Sequence, residues 1–539
     1  MADRHAFPWG KVVLPMVILI GVFFTIASVY SKTGTTSSRA DILMIDIPKL
    51  SGGEKMPGVP FHHDRHTQNI QEEKRCSTCH LERDRRLVFK FMRFEEGSVE
   101  EDMALYHDNC IACHTKIKAA GSPAGPIAGD CRSCHKEMAI SKSARQSMSF
   151  DKSLHYRHDA SATIAPKVPG EADNCSACHH IFDKPLNKIV YAKGQEGSCR
   201  YCHKEEKTES GSSMRMAAHT GCVNCHYDLS MNQKTTGPIE CQGCHSSEAQ
   251  KAIKTVATVP RMKRNQPDVT LLAGWMTDTA ADAESVANQM NPVPFKHMVH
   301  EAANETCRAC HHQSLKKCSE CHTETGVPDG GRIQLAEAMH SKSSSRSCMG
   351  CHSVAQKDAN CAGCHATMPE RSFVENDCSL CHSIDRSSLG PWPMSPAAKR
   401  DLATAAFKSK AAADVKISDE QIPETVVINI LEDKYYEAVF PHRQVFKSLA
   451  SRVADSGMAD HFHDRPETLC MGCHHNSPAS IKPPKCASCH GATFKQALDG
   501  RPGLMGAYHG QCIQCHQVMG IKEPAATDCN KCHKPKANS

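Results

Sequence analysis

The 539-residue sequence predicts tandem modules low in regular secondary structure, in which short helices and a few short β-strands wrap groups that are not side chains. Three observations predict this. The pattern Cys-x-x-Cys-His recurs sixteen times and uses all 32 cysteines. Aromatic residues make up only 5% and hydrophobic residues 40%, a thin supply for the several cores that a chain of this length would otherwise need. The motifs also come in clusters, separated by motif-free intervals at 32–75, 136–174, 246–306 and 383–469.

In a Cys-x-x-Cys-His segment the two thiols can add to the vinyl groups of a haem while the adjacent imidazole ligates the iron. A single copy could equally be a zinc knuckle or a redox dithiol. Sixteen copies with the histidine always in the same place read as sixteen covalent c-type haems, and no cysteine is left for a disulfide or a nucleophile. Each haem is a large apolar disc, so the cofactor supplies the interior that the aromatic count lacks. The predicted class is therefore a multihaem cytochrome c, which does not fold without its haems.

The formal charge of +5 points to no nucleic-acid partner, because two propionates on every haem reverse its sign. Lysines and arginines then serve to pair propionates or to form local docking patches.

The N-terminus holds Arg4 and Lys11, the apolar run Val12 to Tyr30 and a polar stretch through Ser38. It reads as an export signal over residues 1–31, either cleaved near Ser31 or kept as an anchor. Export agrees with covalent haem attachment, and the first cysteine, Cys76, lies too far on to be a lipid acceptor. Strands are expected at Ile42 to Ile47, Val269 to Leu272 and Val426 to Ile430, each followed by Pro or Gly and then by Phe and His. The Ala- and Lys-rich stretch Ala397 to Ala413 reads as a solvated helix.

Four clusters and one separate motif follow in order. The first, within 32–145, carries Cys76, Cys79 and His80, then Cys110, Cys113 and His114, then Cys131, Cys134 and His135. The second, within 146–262, carries Cys175, Cys178 and His179; Cys199, Cys202 and His203; Cys222, Cys225 and His226; and Cys241, Cys244 and His245. The third, within 263–374, carries Cys307, Cys310 and His311; Cys318, Cys321 and His322; Cys348, Cys351 and His352; and Cys361, Cys364 and His365. Cys378, Cys381 and His382 stand apart in 375–400 as an isolated-haem segment. The last cluster, within 401–539, carries Cys470, Cys473 and His474; Cys486, Cys489 and His490; Cys512, Cys515 and His516; and Cys529, Cys532 and His533.

Of the 34 histidines, sixteen lie in the motifs and His5 in the signal, which leaves seventeen for sixteen irons that each need a sixth ligand. The second cluster shows their order most fully: His155-x-x-His158, the doublet His179-His180, and His219 before the third motif. This order closely resembles the tetrahaem cytochrome c3 family of sulfate reducers. The resemblance implies that His155 pairs with His179, His158 with His226, His180 with His203 and His219 with His245. In the third cluster it implies His297 with His311, His300 with His352, His312 with His322 and His340 with His365. The first cluster has Leu81 where the second His of the doublet would be and three motifs in place of four, which resembles the trihaem c7 variant. Its pairs would be His63 with His80, His66 with His114 and His107 with His135, leaving His62 spare. In the last cluster His442 would pair with His474, His475 with His490 and His509 with His533. Val445 stands where the partner of His516 belongs. His461 and His463 are unclaimed, and one of them is expected to serve the iron on His382, leaving His516 without an imidazole opposite; the alternative is the reverse, with one of them on the His516 iron and His382 left open.

The whole haem-bearing length resembles the sixteen-haem, high-molecular-weight branch of the cytochrome c3 superfamily. That resemblance implies a periplasmic electron carrier in sulfate respiration, either free or membrane-associated. It would accept electrons from hydrogenase through tetrahaem cytochrome c3 and pass them to a membrane-bound redox complex. Sequence alone supports an exported conduit of low potential, since bis-His ligation lacks the thioether that raises potentials in His/Met cytochromes. A competing expectation is reduction of a small nitrite- or sulfite-type molecule at the open His516 haem.

Overall fold

The computed structural model describes residues 39–46, 56–71, 74–136, 143–209, 211–274, 290–366, 368, 375–390, 393–412, 417–430, 434–492 and 500–536. The export segment expected at 1–31 lies outside them, as do the last residue of the first expected strand and of the expected helix. No helix among the described residues is long and apolar enough to cross a membrane. The chain forms two compact units, 1–261 and 262–539.

Every sheet among the described residues is a two-stranded antiparallel ribbon. Strand β1 (Ile42–Ile45) pairs with β2 (Val59–His62), β3 (His80–Arg83) with β4 (Arg86–Phe91), and β5 (Ile181–Asp183) with β6 (Lys188–Val190). In the second unit β7 (Thr270–Leu272) pairs with β8 (Val293–Phe295), and β9 (Val426–Ile428) with β10 (Ala438–Phe440). The three expected strands are thus β1, β7 and β9. Each finds its partner in the segment that carries Phe61, Phe295 or Phe440, and the ribbon leads into the helix that His63, His297 or His442 opens.

Two hairpins were not expected from the sequence. Ribbon β3–β4 turns at Asp84 and Arg85, both at positive φ (54° and 60°), and β5–β6 turns near Asn187 (φ 47°). Neither carries the Asn-Gly or Asp-Gly pair that marks a tight hairpin, although Asn tolerates the left-handed region.

Most helices are one or two turns, but Val99–Ala119 runs for 21 residues. Its start is fixed by a capping box: Glu101 N–H donates to Ser98 Oγ (3.2 Å) and Ser98 N–H to a Glu101 carboxylate oxygen (2.7 Å). Acidic residues fill its first turn and Lys116 and Lys118 its last, complementing the helix dipole.

Side-chain packing is sparse. One apolar cluster stands out, where Leu271 on β7, Ile384 and Ala403 of helix Pro396–Ala412 are buried together. The helix expected to be solvated therefore buries one face on β7.

Candidate haem sites

Each attachment motif closes on itself. In the first copy the N–H of His80 donates to the carbonyl of Cys76 (3.0 Å), and the same bond recurs at His179 to Cys175 (2.9 Å), His322 to Cys318 (2.8 Å), His382 to Cys378 (2.9 Å) and His533 to Cys529 (2.8 Å). This single helical turn puts both thiols and the imidazole on one side of the backbone. No disulfide joins any of the 32 cysteines. Burial pushes several thiols up, Cys473 to about 12 and Cys110, Cys222 and Cys348 to about 11, the opposite of the depression a reactive thiolate needs.

Fifteen of the sixteen motif histidines face a second imidazole, with ring centroids 5.8–6.4 Å apart. Two metal–nitrogen bonds of about 2 Å plus two ring radii come to about 6 Å, so one iron fits between each pair. In the first unit the facing pairs are His63–His80, His66–His114, His107–His135, His155–His179, His158–His226, His180–His203 and His219–His245. In the second unit they include His297–His311, His300–His352, His312–His322, His442–His474, His475–His490 and His509–His533. These are the combinations that the cytochrome c3 pattern implies.

Two pairs depart from it. His340 faces His382 (6.0 Å) and not His365, while His365 faces His463 (5.9 Å). In these pairs the motif at Cys378 goes with the third cluster and Cys361 to His365 stands apart, a difference from the isolated-haem segment expected at 375–400. Packing explains the exchange. Ile384 is buried against Leu271 of β7, and the His382 Nδ1 lies 2.6 Å from the carbonyl of Asn291 beside β8, which draws the Cys378 segment back to the third cluster. Helix Ala359–His365 packs instead on Leu504–Val518. A Cβ at Gly363 would run into Met519 and Cys515, so the glycine permits this close approach.

His461, expected as an alternative ligand, is set against the rings of Phe407 (5.7 Å) and Phe462 (4.9 Å). Burial, together with Lys410 and Lys296, pushes it down to about 4, so its ring is neutral. His516 is oriented like the other motif histidines, its Nδ1 2.8 Å from the carbonyl of Pro524. With fifteen free histidines already paired, it faces no imidazole among the described residues.

Most of the paired rings are oriented by a backbone carbonyl at Nδ1, which leaves Nε2 with its lone pair toward the iron. The second histidine of each His-x-x-His uses the carbonyl four residues back: His66 to His62 (2.7 Å), His158 to Leu154 (2.8 Å) and His300 to Lys296 (2.9 Å). Motif histidines often use a proline carbonyl, as His114 with Pro126 (2.8 Å), His226 with Pro238 (2.9 Å) and His490 with Pro502 (2.9 Å). These prolines escaped the sequence reading. Their signal was a Gly-Pro pair eleven and twelve residues after the histidine, at Gly125-Pro126 and Gly237-Pro238. A Cβ on either glycine would strike the imidazole, so Gly237→Ala should displace His226 and add one high-spin haem to the electron paramagnetic resonance spectrum.

A model of the Class III cytochrome C family matches residues 137–245, 273–365 and 442–533. The high-molecular-weight cytochrome c of Nitratidesulfovibrio vulgaris is 40% identical over 99% of both chains. The chain belongs to the class III cytochrome c family. Among solved structures, the high-molecular-weight cytochrome c of Desulfovibrio vulgaris (Miyazaki F), crystallised in the presence of zinc ion, superposes with a TM-score of 0.82 at 39% identity, covering 94% of this chain and 99% of that one. The sixteen-haem cytochrome of Desulfovibrio gigas gives 0.76 at 39% identity over 93% and 100%. As a class III cytochrome c with sixteen attachment motifs, the protein carries sixteen covalent haems and transfers electrons. The family match over 273–365 ends at His365, before His382, whose ring faces His340.

Proposed function

We propose that the protein is a periplasmic, low-potential electron conduit between hydrogenase, reached through a tetrahaem cytochrome c3, and a membrane-bound redox complex. The observation that carries this reading is the set of fifteen facing imidazole pairs at 5.8–6.4 Å, each fit to hold an iron as a bis-His centre. In each, one histidine comes from an attachment motif and the other from a helix or loop elsewhere. The haems supply one-electron iron chemistry, and the chain fixes their spacing, their ligands and the dryness of their edges.

The modules we propose are a trihaem segment (32–145), a tetrahaem segment (146–262), a second tetrahaem segment from 263 whose fourth motif is Cys378 to His382, a bridging haem on Cys361 and Cys364, and a final segment (401–539) with one open haem. His365 and His463 would ligate the bridging iron. Close packing of Gly363 on Cys515 and Met519 brings this bridge beside the open haem, a continuous path for electrons inside the second unit. Nothing favours reduction of nitrite or sulfite at His516, because Val445, at the position of its missing partner, brings neither a ligand nor a proton.

The test is reduction by hydrogen with purified hydrogenase. Adding catalytic tetrahaem cytochrome c3 should accelerate reduction of the haems at least tenfold, read at the reduced α-band. Equal rates with and without cytochrome c3 would overturn the assigned donor, and steady turnover of nitrite or sulfite would restore the reductase reading.

A further inference from the structure

Asp64 joins two haem sites that sequence places far apart. It lies at the start of helix His63–Thr67, and its side chain is fully buried. One carboxylate oxygen is 3.3 Å from Nδ1 of His63, which faces His80 at the Cys76 haem. The same oxygen accepts from the N–H of Cys241 (3.0 Å), and the other accepts from the N–H of Gln242 (2.8 Å). Those amides open helix Cys241–His245, the attachment turn of the haem held between His219 and His245. Phe89 on β4 makes a second link, its ring 5.8 Å from His80 and 5.9 Å from His219.

The paired histidines that are oriented by backbone carbonyls, such as His66, His158 and His300, meet neutral acceptors. His63 meets a carboxylate, which withdraws its Nδ1 proton more strongly and makes Nε2 a better donor to ferric iron. A better donor and a fixed negative charge beside the site both favour Fe(III) over Fe(II). Two backbone N–H donors favour the ionised carboxylate, and the Asp41 carboxylate that accepts from the Asp64 N–H (3.1 Å) is itself held by Arg39 (2.8 and 3.0 Å). The cluster is built for a constant charge.

We infer that Asp64 is a positioning residue that lowers the potential of the Cys76 haem and fixes it against the Cys241 haem, making this pair the electron junction between the trihaem and first tetrahaem modules. The inference rests on His63 being an axial ligand. The grouping of His63, Asp64 and Cys241 is not a site for a further metal, since the histidine and the cysteine are both engaged by haem.

Asp64→Asn in the full-length holoprotein removes the charge with little change in shape. Expected is one haem that becomes about tenfold easier to reduce, which is 59 mV for one electron, while the other steps stay in place. Its low-spin electron paramagnetic resonance signal should shift as well, and Asp64→Glu should restore much of the original potential. Sixteen attached haems with no shifted step would overturn the inference, and so would a shift spread evenly over the first unit. If Asp64→Asn fails to load its haems, Glu301→Gln tests the same charge effect at His297, whose Nδ1 lies 3.1 Å from the Glu301 carboxylate; an unshifted potential there would also overturn it. A high-spin Cys76 haem in the unaltered protein would instead show that His63 is not a ligand.

Discussion

Replacing His463 by alanine is expected to raise the number of high-spin haems from one to two of sixteen, while His461→Ala leaves it at one. The two histidines lie on either side of Phe462 at the end of helix Gly457–Phe462, and a sequence-based choice between them was open. Their surroundings separate them. His463 faces His365 at 5.9 Å and its Nδ1 lies 3.3 Å from the Thr468 hydroxyl, so the ring is directed to a metal position by a hydrogen bond on its far side. His461 meets two phenylalanines edge-on instead. Removing His463 takes the sixth ligand from the Cys361 haem and leaves iron in a pocket that alanine cannot fill. A new high-spin signal and carbon monoxide binding at that haem are the expected readouts. With the bridge as proposed, electron delivery to the last module should slow. A new high-spin signal in His461→Ala, with none in His463→Ala, would reverse the assignment.

Much of this arrangement was legible in the sequence because covalent attachment writes its own coordinates. Cys-x-x-Cys-His places two thioethers and one ligand within a single turn, and the doublets His179-His180, His311-His312 and His474-His475 hand one imidazole to each of two neighbouring irons. Local spacing of this kind survives folding. What the sequence hid depends on contacts between distant segments. Cys361 follows Cys348 so closely that it reads as the fourth motif of its cluster, yet a glycine inside that motif lets its helix pack on Leu504–Val518, while Ile384 carries the next motif back to β7. No periodicity reports such a choice. The carbonyls that orient the imidazoles were hidden for a different reason, since any residue has one. Only where glycine must clear the ring, as at Gly125 and Gly237, does a residue type betray the contact. Asp64 was invisible as well, because a lone aspartate in His-His-Asp-Arg-His reads as a surface charge until the amides of Cys241 and Gln242 are seen to close over it.

Val445→His is expected to abolish the one high-spin haem. In the other modules the second histidine of the His-x-x-His faces the second motif of the trihaem module or the third motif of a tetrahaem module: His66 meets His114, His158 meets His226 and His300 meets His352, at 6.2, 6.2 and 6.3 Å. In those modules a phenylalanine also packs on that second histidine, Phe61 on His66 at 4.3 Å, Phe150 on His158 at 5.2 Å and Phe295 on His300 at 4.3 Å. The last module keeps the phenylalanine, Phe440, and keeps the first histidine of the pair, His442, on helix His442–Ala454. Only the second imidazole is gone, replaced by valine one turn along the same helix. A histidine there has its helical position, its aromatic neighbour and, at Pro441, a carbonyl four residues back to orient Nδ1, as in the other three modules. The engineered ligand should turn the His516 iron low-spin and end its binding of carbon monoxide, with sixteen haems still attached. A stronger donor set should also lower its potential toward those of the bis-His haems. An unchanged high-spin signal in a fully loaded variant would mean that the iron on His516 is approached from another direction, and that Val445 does not govern its open face.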